Sequence, residues 1–129
     1  MELIQAGGGP PPAEAAFSSA VALAAGTRTL YLSGQTGRRP DGNIPSEAAE
    51  QCEQMWRRVL ELLREQGLGP QDIVRIQAYV TAAVHLPAYQ TSRKHALKGH
   101  LPASTTVIVS GLVHPELLVE LDVIAAYPT

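Results

Sequence analysis

The segment Val119-Glu120-Leu121-Asp122-Val123 places a carboxylate, Glu120, between apolar neighbours near the end of the chain. A carboxylate so placed can accept a proton from an attacking water, or merely orient that water. On chemistry alone, the more ordinary reading is a solvated or salt-bridged strand glutamate. Other reactive side chains offer less. His85, His95, His100 and His114 include no pair at the helical spacing of zinc ligands, so no metal site is expected. Cys52, the only cysteine, falls on an apolar stripe and reads as a buried structural thiol rather than a nucleophile. Gly7 to Gly9 are followed by no GK[ST] and open no helix, so they do not form a phosphate loop.

The elements that must position these residues fit one domain spanning 1–129. The chain is 45% hydrophobic and 17% charged, with net charge −2. Nothing in that balance advertises a nucleic-acid partner. A single cysteine excludes an intrachain disulfide and suits a reducing compartment. No apolar run approaches the ~20 residues of a membrane span, and Met1 to Pro12 does not resemble a signal peptide. The expectation is a soluble, cytoplasmic protein.

Glu2 to Gln5 reads as an opening strand, followed by a Gly-Pro loop through Pro12. Ser19 to Ala24 and Thr29 to Ser33 are strand candidates. The short link between them contains Gly26, which predicts a hairpin. After Ser46, Cys52, Met55, Trp56, Val59, Leu60 and Leu63 recur at helical spacing, and Gly67 supplies the stop. From Ile73 to Thr81, Val74, Ile76, Ala78 and Val80 alternate with Arg75, Gln77 and Tyr79. Leu86 to Leu97 predicts a second helix; Thr105 to Val109 and Leu118 to Ala126 predict two closing strands. The order β-β-β-α-β-α-β-β puts both helices on one face of a mixed sheet. The other face keeps apolar residues and calls for a partner surface.

Four segments resemble the Rid family, the YjgF-type reactive-intermediate deaminases. Leu30-Tyr31-Leu32-Ser33-Gly34-Gln35 is similar to its "ySGQ" strand end. Glu50-Gln51, then Gly67-Leu68 and Asp72-Ile73-Val74, resemble its helix-to-strand passage. Pro102-Ala103 and the β-branched strand after it resemble its "PAR" segment. Val119 to Ala125 resembles its closing "vEieaiA" strand. The resemblance implies a chorismate-mutase-like α+β fold with a mixed six-stranded sheet. It also implies a homotrimeric barrel with ligand clefts between subunits, and hydrolysis of enamines or imines without a cofactor.

The resemblance also assigns roles. Glu120 matches the glutamate placed near the attacking water. Ser33 and Gly34 match backbone bordering the ligand; their alternative is a strand-ending turn. Phe17 stands where the deaminases have a cleft tyrosine, keeping the ring without the hydroxyl; it reads equally as a core or interface aromatic. Ser104 is the departure: the family's arginine, whose planar fork would bind a substrate carboxylate, is absent. Ser104 and Thr106 read either as cleft residues for a different ligand or as ordinary strand residues. Arg93 is the best remaining cation, or a solvated helix charge. Tyr89 is a cleft-rim residue or helix packing. Two functions are therefore open: hydrolysis of an imine or enamine other than simple 2-iminoacids, and non-catalytic binding of a small metabolite. Ribonuclease activity fits neither the charge nor its distribution.

Overall fold

A computed structural model describes all residues, 1–129. Two helices pack on one face of a mixed sheet. The strands are β1 (Glu2–Ile4), β2 (Ala20–Ala22), β3 (Thr29–Thr36), β4 (Ile73–Val80), β5 (Ala103–Ile108) and β6 (Val119–Ala126); the helices are α1 (Ala48–Glu65) and α2 (Leu86–Leu97). The four longer strands form one sheet in the order β3-β6-β4-β5. Only the β4–β5 pair is parallel, and α2 makes its crossover. No helix is long and apolar enough to cross a membrane.

Helix α1 forms where the apolar stripe predicts it. Cys52, Met55, Trp56, Val59 and Leu63 are buried along one face. The helix ends in a Schellman motif: Gly67 adopts φ 74°, its N–H donates to Arg64 O, and Leu68 N–H donates to Leu63 O at 2.9 Å. The buried stripe meets Ile76, Ala78 and Val80 of β4 and Val119, Leu121, Val123 and Ala125 of β6 in a single core.

The expected six strands all form, but they do not make one continuous sheet. β2 pairs antiparallel with β1, not with β3, so the predicted hairpin across Gly26 is absent. The reason lies just before β2. Ser18 N–H donates to Pro102 O at 3.0 Å and its hydroxyl donates to Leu101 O, which holds the entry to β2 on β5. That edge lies opposite β3. The link between β2 and β3 closes instead as a local turn, with Thr27 Oγ1 donating to Ala24 O at 2.7 Å.

Two further differences concern register. A bulge between Ile73 and Arg75 brings Ile73 rather than Val74 into the core. In β3 the strand does not end at Ser33-Gly34. It continues to Thr36 across a register shift between Leu32 and Gln35.

Candidate active site

Directly paired residues in a sheet share a face, so register decides which predicted residues can meet. Glu120 pairs with Thr36 on β3 and with Tyr79 on β4. This row lies on the face away from the helices, because Leu121 and Ala78, one position along, are buried in the core. Asp122 and Gln77 lie on the same open face one repeat further on. Tyr79 donates its hydroxyl to Asp122 Oδ2 at 3.0 Å, and this bond to a carboxylate raises the phenol above its ordinary range.

The Glu120 carboxylate packs against Gly34. A Cβ added at Gly34 would overlap Glu120 Oε2 and stand 2.9 Å from Glu120 Cδ. Gly34 lies within the register shift, so the missing side chain and the bulge together make room for the carboxyl. Partial burial there, and secondarily the Asp122 charge, holds Glu120 above the usual carboxylate range. Ser33, Gly34 and Glu120 therefore form one group. Asp122 and Tyr79 belong beside it, although sequence reading did not select them. The signal for Asp122 was its i, i+2 spacing from Glu120 on β6.

The other predicted residues gather elsewhere. Ser104 and Thr106 pair with Ile76 and Ala78, which places them on the helix side of the edge strand β5. Tyr89 is fully buried beneath this edge. Burial pushes its phenol up, and nearby Arg93 and Thr106 only partly offset that. Its hydroxyl makes no hydrogen bond within the chain. The Arg93 guanidinium lies over the Tyr89 ring at 5.4 Å from the centroid. Phe17 is 50% exposed and precedes Ser18, which is bonded to the entry of β5. Phe17, Tyr89, Arg93, Ser104 and Thr106 thus form a second group. Within one chain it faces a different way from Glu120.

A cavity of about 930 Å³ forms an outer groove between α1 and α2 lined by Trp56, Leu60, Pro87 and Ala88. No predicted site residue lines it. No group of three or more His, Cys, Asp or Glu side chains is arranged to hold a metal ion.

The family model described as Endoribonuclease L-PSP matches residues 9–127. Among solved structures, the chain is similar to YyfB of Yersinia pestis, a Rid-family protein of unknown function. The identity is 31%, the match covers 87% of each chain, and the TM-score is 0.79. RidA from an Antarctic Psychrobacter species shares 24% identity over 91% of this chain and 93% of its own, with a TM-score of 0.73. A Mycobacterium tuberculosis member of the YjgF/YER057c/UK114 family shares 23% over 98% of both chains, with a TM-score of 0.68. The last two support the fold alone. The extent of the family match and the identity to YyfB, with the β-β-β-α-β-α-β-β order, show that this chain belongs to the Rid family.

Proposed function

We propose that three copies of the chain assemble with their open sheet faces inward, and that each cleft between neighbours binds a small imine or enamine and hydrolyses it. The observation that carries this reading is the division of the predicted site into two groups on different faces. Glu120 with Ser33 and Gly34 completes nothing within its own chain. Facing the β5 edge of a neighbour, it meets Phe17, Ser104 and Thr106. Tyr31, 72% exposed on β3, and Val107, 38% exposed on the opposite edge strand β5, supply apolar surface that an assembly would cover.

In such a cleft the Glu120 carboxylate takes a proton from water as the oxygen attacks the C=N carbon. The nitrogen gains a proton, and the C–N bond of the resulting carbinolamine breaks. Ammonia leaves and a carbonyl compound remains. A carboxylate held above its usual pKa is a better proton acceptor than an exposed one. The open face offers RNA little, since Glu120 and Asp122 outnumber the cation Arg75 on it.

Ammonia release across a panel of imines, including some without a carboxylate, tests the reading. Turnover of at least one class is expected. Absence of turnover on all of them would overturn hydrolysis. Ligand-induced melting shifts without turnover would support a second reading, non-catalytic metabolite binding, which Ser104 favours by leaving the family's carboxylate-binding position uncharged.

Ser104→Arg restores that charge at the half-buried edge of β5. A forked guanidinium there is expected to raise kcat/KM on simple 2-iminoacids by about tenfold or more, read by ammonia release. An unchanged rate in a folded variant would mean that this edge does not contact substrate.

A further inference from the structure

A cavity of about 720 Å³ lies between α2 and the loop from Pro11 to Ala16. It adjoins the second group of site residues, since Phe17 follows directly on the loop that lines it. Its lining contains Arg93, Lys94 and His100, and a single carboxylate, Glu14. None of these residues takes part in an ion pair. His100 is already engaged, with Nε2 2.6 Å from Ile73 O. Arg93 and Lys94 are thus cations outside any ion pair, beside a concave surface.

Arg93 differs from a freely solvated helix charge. It is half-buried, and its planar guanidinium is held over the ring of Tyr89, one turn earlier on α2. That ring is itself immobilised in the core. A guanidinium held on an aromatic face loses less rotamer freedom on binding and keeps its donor edge available. The family's arginine position is occupied by Ser104, on the strand packed over this same tyrosine.

We infer that Arg93, with Lys94 beside it, binds an anionic group of the substrate, a carboxylate or phosphate, in the cavity between α2 and the Pro11–Ala16 loop. This rests on the cleft reading above and deepens it. The cation is delivered from the helix instead of from β5. On this reading the substrate's anionic group is held at α2 rather than at the β5 position that would take the carboxylate of a simple 2-iminoacid. The substrate class is an imine or enamine carrying an acid that reaches α2.

Titration calorimetry of the full chain with succinate and with inorganic phosphate, at constant ionic strength, tests the inference without requiring turnover. Saturable binding of at least one is expected, and the preferred anion separates a carboxylate substrate from a phosphorylated one. Arg93→Gln should weaken that binding by at least about tenfold, and Arg93→Lys by less, because the charge survives while the fork is lost. Binding of neither anion, or equal affinity in wild type and Arg93→Gln, would overturn it. So would an Arg93→Gln variant that melts lower but binds unchanged, since Arg93 would then only pack on Tyr89. Loss of anion binding in a protein that still hydrolyses a neutral imine supports this site. Anion binding in a protein that hydrolyses nothing sinks the hydrolase reading alone.

Discussion

Glu120→Gln is expected to lower kcat for imine hydrolysis by roughly 10²- to 10⁴-fold, the usual contribution of a positioned general base. Glutamine keeps the shape beside Gly34 and cannot accept the proton. Stability should not fall. The sign follows from the raised pKa. Above the folded-state pKa the carboxyl is charged in both states, and the folded protein bears the cost of partly burying it. As pH falls through the folded-state value toward the unfolded one, the folded chain takes up a proton first and that cost is relieved. Removing the charge should therefore leave the neutral-pH melting temperature unchanged or slightly higher. The wild-type rate should rise with pH through a pKa above the usual glutamate range, and that limb should vanish in Glu120→Gln. Gly34→Ala supplies a second probe of the same contact. Its Cβ would displace the carboxyl, so the rate should fall although no ionisable group has changed.

Gln51→Leu is expected to destabilise the protein by about 3 kcal/mol or more, because buried groups left unpaired cost about 1–3 kcal/mol each. The Gln51 side chain is fully buried. Its Nε2 donates to Pro45 O at 2.8 Å and to Glu116 O at 2.9 Å, and its Oε1 accepts from Leu118 N–H at 2.8 Å. Leucine fills the space and leaves these backbone groups without partners. The same residue ties the start of α1 to the entry of β6, two residues before Glu120. It also packs on Gly37 just beyond β3, where an added Cβ would stand 2.5 Å from Gln51 Cα. Three segments thus meet at one amide. Chemical denaturation with an unchanged m-value measures the loss. Glu50→Ala is the contrast: its pairing with Arg39 at 3.3 Å is exposed, and such pairs contribute about 0–1 kcal/mol. Equal effects from the two substitutions would remove Gln51 from this bracing role.

The sequence made α1 readable because its stripe and stop are local, and α2 readable because Pro87 suits a first turn and Gly99 ends it. Gly67 and the apolar positions from Cys52 to Leu63 act within a few turns of one another. β4 and β6 were readable by alternation, with one slip: the bulge at Ile73 reverses which neighbour is buried, and no local residue pattern announces it. The β2–β3 hairpin failed for a long-range reason, since Ser18 is captured by Leu101 and Pro102, more than eighty positions away. Gly34 was legible as backbone bordering a ligand, with a strand-ending turn as the alternative. Its use as space for a carboxyl on another strand depends on pairing that sequence does not state. The candidate residues themselves were mostly legible through resemblance. Their separation onto two faces was not, because a one-residue change of register moves every side chain to the opposite side. The pairs Ile76–Ser104 and Tyr79–Glu120 decide it.

Sedimentation velocity at the protein concentration of the ammonia assay is the most direct check that neighbouring copies complete the cleft. A single species of three times the 13.7 kDa protomer is predicted. A 13.7 kDa species that still releases ammonia would contradict it, since Glu120 and the β5 edge face different ways within one chain.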